Sequence, residues 1–478
     1  MIHGVFWSAV EKYSGLVVSI GVSMVLARIL SPQEYGVVAI ATVLIHFLQM
    51  FCTMGIGPAI IQRNDLTQKD LNSIFTFSLS VGLLLSICFW GGASLIAFFY
   101  DNKQLVPICH ILSIQLFFAA ANMVPNALMN KNKRFKDIAR RTLILHLITG
   151  VLSIIAALYG AGVYALLISP VLTAIGIFLW NRVYYKVYID WEYNLEPIKR
   201  IFSFSSYQFL FEFVNYFSRN LDKLIIGKYM NIGALGIYEK SYRLMQLPMQ
   251  NITSVINPVL QPVLKDLQDD KGDLGKKYAK IVKFVATLSF PIGIILSGMA
   301  TECIHFFYGG KWDSAIPVFR ILALSLPLQM ILSTSGAIYM VCNNTKMQFW
   351  LGIRNTVTTV IGFFIAAFLF GTIESMAWAW TITLLINFFF TYYLLYRYVL
   401  CISVTSLIKE LVRPAISGCV LFVFFILCEH THINNSILFS VFFKGVFSLV
   451  LTLSCIQITG QYNIIHHLKH RISLYRKG

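Results

Sequence analysis

The sequence predicts an all-α, polytopic membrane protein, and three observations predict it. Apolar stretches long enough to cross a bilayer follow one another from Phe6 to Thr459, with short breaks. Hydrophobic residues make up 57% of the 478 and charged residues only 12%, with mean hydropathy +0.71, whereas soluble domains carry roughly a quarter charged residues. The basic residues gather in alternate breaks, as the two sides of a membrane require.

A span needs about 20 apolar residues, because inside hydrocarbon the helix must satisfy its own backbone N–H and C=O groups. Dividing the chain at its polar breaks on that criterion gives about fourteen spans. The first six are 5–30, 37–61, 73–99, 105–128, 142–159 and 162–183. The next six are 204–228, 237–263, 282–307, 316–341, 348–370 and 375–396, and the last two are 412–429 and 437–459. Pro170, Pro248, Pro258, Pro262 and Pro327 mark the boundaries most open to kinking or interruption. MIHGVFWSAVEKYSG lacks a basic leader region and a small-residue cleavage site, so the first span is expected to stay in the protein.

A net charge of +17 would point to nucleic acid in a soluble protein, but its distribution assigns it to membrane anchoring, and no nucleic-acid partner is expected. Lys131, Lys133, Arg134, Lys136, Arg140 and Arg141 crowd one break, Arg182, Lys186, Lys199 and Arg200 a second, and Lys265, Lys271, Lys276, Lys277, Lys280 and Lys283 a third. Lys469, Arg471, Arg476 and Lys477 follow in the tail, while 100–104, 159–162, 371–374 and 430–436 carry almost no basic residues. The positive-inside rule then makes both termini cytoplasmic and the span count even. The nine cysteines sit mostly inside spans and none forms C-x-x-C, which reads as free thiols. His466, His467 and His470 lack a carboxylate or cysteine partner, so no metal is expected.

An internal repeat runs through the chain. ARILSPQEYGVV (27–38) matches IGKYMNIGALGIY (226–238), with Arg28 opposite Lys228 and Gly36 opposite Gly236 (236 − 36 = 200); Pro58 falls opposite Pro258 at the same offset. FFYDNKQLVPICH, from Phe98, matches FFYGGKWDSAIPVFR, from Phe306, with Pro107 opposite Pro317 and His110 opposite Arg320. Two six-helix copies with an even number of spans enter the membrane in one orientation, as parallel repeats related by an axis along the membrane normal. The expected organisation is a first lobe over 1–200, a second over 201–400, two accessory helices over 401–460 and a basic cytoplasmic tail over 461–478. Transporters built this way place the substrate path between their lobes.

Charged residues inside spans cost about 2.5–3.5 kcal/mol each near the bilayer centre and face a cavity or a partner. In span seven Glu212, Asn215, Arg219 and Asp222 recur at helical spacing, with Lys223 beside them. A local ion-paired stitch or snorkelling to the interface is the alternative reading. In span one Glu11 and Lys12 lie about two turns inside the membrane end, and Lys12 is the repeat equivalent of Glu212 (212 − 12 = 200). That pair is a candidate cytoplasmic gate, with snorkelling again the alternative. Span eight carries Glu239 and Arg243 in its first turns, so Arg219, Lys223 and Arg243 are candidate cations for an anion such as diphosphate. Asp222, Asn215 and Glu239 stand beside them as supporting or ion-coupling groups.

ARILSPQEYGVVAIAT, NLDKLIIGKYMNIGALGIYEKSYRLMQLP and FFYGGKWDSAIPVFRILAL together resemble Wzx-type polysaccharide flippases of the multidrug/oligosaccharidyl-lipid/polysaccharide exporter superfamily. Within it the likeness is to the lipopolysaccharide and colanic-acid exporter branch, over spans one to twelve. The resemblance implies two six-helix bundles around a cavity plus two extra helices, and export of an undecaprenyl-diphosphate-linked oligosaccharide across the bacterial cytoplasmic membrane. It implies no cofactor and no enzymatic step; lipid-linked oligosaccharide and membrane lipids are the expected partners, with H+ or Na+ and polysaccharide assembly proteins as candidates. P-loop, H-E-x-x-H and G-x-S-x-G signatures are missing from the sequence. A multidrug or cation antiporter of the same superfamily and a membrane glycan polymerase or ligase are the rival readings.

Overall fold

The computed structural model describes residues 2–53, 56–190, 196, 198, 213, 216, 217, 219–430 and 437–459, and among them there is no strand. Their contacts divide the chain into two compact units, one of Met1–Gly236 with Phe307–Lys311, the other of Ile237–Phe306 with Trp312–Gly478.

The first unit begins with α1 (Ile2–Ile29), α2 (Pro32–Thr53), α3 (Ile56–Gln62), α4 (Gln68–Gly91) and α5 (Ala93–Phe99). It continues with α6 (Leu105–Ala121), α7 (Met123–Lys131), α8 (Phe135–Leu158), α9 (Ala165–Tyr184) and α10 over 219–229. Local chemistry starts these helices. Ser31 and Glu34 form a reciprocal cap on α2: the Ser31 amide and hydroxyl donate to Glu34 Oε2 at 2.7 and 2.8 Å, and the Glu34 amide donates to Ser31 Oγ at 3.4 Å. Pro32 then fits the first helical position, where no intrahelical N–H is needed. Thr67 and Asp70 cap α4 in the same way. Within the unit α8 packs between α1 and α9, and α6 packs on α2, α4 and α9.

The second unit holds most of α11 (Ile232–Lys265), then α12 (Lys271–Gly298), α13 (Ala300–Phe307), α14 (Ala315–Leu324), α15 (Leu326–Val341), α16 (Thr345–Ile365) and α17 (Ile373–Leu394). It ends with α18 (Thr405–His430) and α19 (Ile437–Ile458). Here α12 packs on α14, α15 and α18, and α17 on α14 and α16. A buried hydroxyl cluster pins its centre: Tyr278 meets Thr334 at 2.9 Å and Tyr392 at 3.0 Å, and Tyr392 donates to the Ile331 carbonyl at 2.9 Å.

The last two helices, α18 and α19, are fastened within this unit by ion pairs along their length. Lys283 on α12 meets Glu410 on α18 at 3.2 Å, Arg320 on α14 meets Glu429 on α18 at 2.9 Å, and Glu302 on α13 is buried against Lys444 and Ser440 on α19.

Among the described residues ten helices are long and apolar enough to cross a membrane, or twelve when each of two bent pairs counts as one span. The expected count of fourteen is not reached among the described residues. Span 204–228 lies partly outside them, and span 237–263 belongs to one 34-residue helix whose Glu, Lys, Arg, Gln and Asn residues leave no comparably apolar stretch. Of the five flagged prolines only Pro327 sits at a break; Pro170, Pro248, Pro258 and Pro262 lie inside continuous helices. The bends of 41° between α6 and α7 and 44° between α14 and α15 each fall just before a proline, Pro125 and Pro327. Proline has no N–H for the carbonyl four residues back, here Ala121 and Ala323, so the helix opens there.

The basic breaks are shorter than the sequence suggested. Lys133 takes a left-handed conformation (φ 55°) and α8 resumes at Phe135, so Lys136, Arg140 and Arg141 are helical. Likewise α12 starts at Lys271, capped by Asp270, whose side chain accepts from the Asp273 amide at 2.9 Å, and Lys276, Lys277, Lys280 and Lys283 ride on its first turns.

Candidate functional site

The expected cations sit on two helices assigned to different units. On α10 Arg219 is exposed and Lys223 half-buried, while Asp222 is fully buried, its Oδ1 accepting the Lys223 amide at 2.8 Å. The stripe read from the sequence thus divides, with Asp222 folded onto its own backbone and Arg219 turned outward. On α11 Arg243 is exposed and Glu239 half-buried. Between them stands Lys240, buried at 3% exposure and overlooked in the sequence reading of YEKSYRLMQLP.

Lys12 is exposed on α1, with Nζ 5.9 Å from the Tyr13 ring centre, and its neighbour Glu11 accepts from Thr142 Oγ1 on α8 at 3.2 Å. Glu212 and Asn215 lie outside the described residues, so the Lys12–Glu212 gate falls there too.

Arg28 and Lys228, expected as interface anchors, occupy matching positions. Lys228 Nζ donates to the Phe99 carbonyl and lies 4.5 Å from the Phe99 ring centre. Arg28 lies beside Gly309 of the equivalent FFYGG loop, and Lys311 of that loop donates to the Ile29 carbonyl at 3.3 Å. The two FFY loops share a backbone irregularity as well: Asp101 and Gly309, opposite each other in the repeat, both have positive φ, 51° and 85°.

Sequence reasoning missed one arginine–asparagine cluster in each unit. In the first, Arg141 on α8 is 4% exposed; its Nη1 donates to Asn181 Oδ1 on α9 and to Asn126 Oδ1 on α7 at 3.3 Å. Asn181 Nδ2 in turn donates to Asn122 Oδ1 at the α6/α7 bend, at 2.7 Å. In the second, Arg354 on α16 donates to Asn355 and Asn387 at 3.0 and 3.3 Å and lies 3.8 Å from the Phe390 ring centre. Arg354 and Lys444, each inside an apolar run, carried a signal that a charge scan of every span would have caught; Arg141 was masked by the basic break it closes. No group of three His, Cys, Asp or Glu positioned for a metal occurs among the described residues.

Membrane-length helices, a buried arginine held by amides, and a repeated loop define an all-helical membrane transporter. The chain belongs to the polysaccharide biosynthesis protein family, whose pattern matches residues 25–317, more than half of its length. It is 24% identical to the teichuronic acid biosynthesis protein TuaB of Bacillus subtilis (87% of this chain, 86% of that one), and 23% to the lipopolysaccharide biosynthesis protein WzxC of Escherichia coli (86% and 84%). Among solved structures, lipid II flippase MurJ in an inward closed conformation superposes with TM-score 0.73 at 15% identity, covering 96% of this chain and all of that one. An inward-facing multidrug resistance MATE transporter of the MOP superfamily gives 0.61 at 14% identity, over 80% of this chain and 97% of that one. The fold is therefore the one these transporters share, and the Wzx-type recognition made from motifs holds.

Proposed function

We propose that this chain translocates an undecaprenyl-diphosphate-linked oligosaccharide from the inner to the outer leaflet of the bacterial cytoplasmic membrane, for surface polysaccharide assembly. The observation that carries the reading is family membership joined to a lipid-flippase fold over nearly the whole chain. The physics fits such cargo. The prenyl tail stays in lipid while diphosphate and sugars cross a polar path, where cations and amides offset the lost hydration. No covalent chemistry is required of the protein, which we read as a transporter and not an enzyme.

In this reading the basic ends of the helices and both termini face the cytoplasm. Lobes over 1–200 and 201–400 alternate access, with 401–460 accessory and 461–478 a basic tail. Arg219, Lys223 and Arg243 hold the diphosphate, assisted by Asp222, Asn215 and Glu239, which also serve an H+ or Na+ coupling step. Lys12 and Glu212 close the cytoplasmic mouth, and polysaccharide assembly proteins receive the product. The deciding experiment is reconstitution of the purified protein in vesicles holding a fluorescent undecaprenyl-diphosphate sugar in both leaflets. Faster loss of protection from an external quencher or enzyme is expected; no acceleration over empty vesicles, together with protein-dependent efflux of cationic drugs, would overturn it in favour of an antiporter.

A further inference from the structure

A groove in the first unit, about 260 Å³, runs between α3 and the α6/α7 bend, on the side of the basic breaks. Its lining includes Pro58, Ile61 and Met123 and a row of three amides, Asn122, Asn126 and Asn130, spaced four residues apart on one helical face. Lys131 Nζ donates to the Arg63 carbonyl and so ties the ends of α7 and α3 together below it.

The orientation of these amides is dictated from behind. A guanidinium has donors and no acceptor, so the buried Arg141 forces Asn126 and Asn181 to turn their carbonyl oxygens toward it. With its oxygen committed, Asn181 donates through Nδ2, and that fixes Asn122 with its own Oδ1 turned back. Asn130 spends its Nδ2 on the Asn126 backbone carbonyl at 2.9 Å. The described hydrogen bonds thus leave Asn122 Nδ2, Asn126 Nδ2 and Asn130 Oδ1 without a protein partner. Two donors and one acceptor stand in a row beside apolar surface, the donors directed by one arginine and the acceptor by the α7 backbone.

Resting on the flippase reading, we propose that this groove is a sugar subsite, which takes one monosaccharide of the lipid-linked oligosaccharide. The two Nδ2 groups bind an sp² oxygen acceptor, an N-acetyl carbonyl or a carboxylate, and Asn130 Oδ1 accepts from a ring hydroxyl. The apolar lining covers the C–H face of the ring. The volume lies just under the usual range for ligand pockets, about 300–1,000 Å³, so the groove holds one ring and not a repeat unit. Arg141 is a positioning residue, acting through the amides it orients.

Binding to the purified full-length chain tests this with four short-chain polyprenyl diphosphates, bearing N-acetylglucosamine, glucuronate, glucose or no sugar. The first two arms separate the carbonyl from the carboxylate. At least one of them should bind tenfold or more tighter than the glucose and sugar-free lipids. N126D keeps an oxygen for Arg141, and so the fold, but replaces the outward donor by an acceptor. It should erase the preference and leave sugar-free binding unchanged; N132A, whose side chain meets Tyr185 instead, should keep it. A wild type without the preference, or N126D retaining it, overturns the subsite while the flippase reading stands. Failure of the wild type to bind any of the four lipids overturns both.

Discussion

Gly36 and Gly236 press their backbones against each other's helices in a reciprocal contact. A Cβ on Gly36 would lie 1.8 Å from the Ile232 carbonyl oxygen, and one on Gly236 would lie 2.0 Å from the Pro32 carbonyl oxygen. Each glycine is the repeat equivalent of the other, and so are the residues they touch (232 − 32 = 200). The exchange of contacts is thus itself repeat-equivalent. The caps obey it too: Ser31 starts α2, and Asn231 starts α11 by accepting from the Ala234 amide at 2.6 Å. Inside the first unit, therefore, the first turns of α2 and α11 close on each other along a seam of repeat-equivalent residues.

Alanine at either glycine should be strongly destabilising, because the obstacle is backbone and cannot rotate away. Overpacking typically costs about 1–3 kcal/mol, and this contact should fall at the top of that range or beyond. Gly21, with nothing within 4 Å of its would-be Cβ, supplies the control, where alanine should be neutral or slightly stabilising. Melting of the purified variants in one detergent compares them; equal stability of G36A and G21A would show that the seam is not close-packed.

The docking of α19 should depend on the buried Glu302–Lys444 pair. Their side chains are 6% and 9% exposed, and Ser440 donates to the same carboxylate oxygen at 2.6 Å. Removing one partner of a buried pair leaves an uncompensated charge and costs about 3–5 kcal/mol. Lys444→Met should therefore destabilise more than the double variant Glu302→Gln/Lys444→Met, which leaves no charge behind. A thermal-denaturation double-mutant cycle reads the coupling, and additive effects would deny it.

What could be read from the sequence divides along physical lines. Apolar length is local, so most spans emerged. The repeat was legible because it preserves residues at a fixed offset. The burial of Arg141, Lys240 and Lys444 was not, because a charge's fate depends on neighbours contributed by other helices: Asn181 for Arg141, Glu302 for Lys444. Basic runs likewise looked like loops because composition does not distinguish a loop from the wet end of a long helix, as Lys271–Lys283 shows. For the candidate site, residue types were legible but facing was not. Arg219 and Asp222 share a stripe by spacing, yet one is exposed and the other buried.

Sidedness should follow the basic turns. A cysteine placed at Lys133, in the turn before α8, is expected to resist an impermeant maleimide in intact cells and to react once the membrane is opened. One at Gly310, in the FFYGG loop, should react in both conditions. The native cysteines must first be replaced, since Cys88, Cys401 and Cys419 are exposed. Labelling at 133 in intact cells would reverse the proposed orientation and place both termini outside.

The three proposed diphosphate ligands make the most demanding prediction. Arg219 and Arg243 are exposed and Lys223 is half-buried, so neither guanidinium is locked away in a structural core, and neutralising them should spare stability. A diphosphate offers several oxygens to bidentate guanidinium forks, and losing one fork should weaken binding of the lipid carrier about tenfold, since charge-assisted hydrogen bonds are the stronger class. Lysine at 219 or 243 should restore only part of that, keeping the charge without the planar fork. Arg28, beside Gly309 in the FFYGG loop, is the control, and its alanine variant should export almost normally. The measurement is surface polysaccharide at matched protein levels, together with accumulation of lipid-linked precursor. Glutamine at all three cations should stop export and raise the precursor, whereas wild-type polysaccharide in that strain would remove these residues from the substrate path.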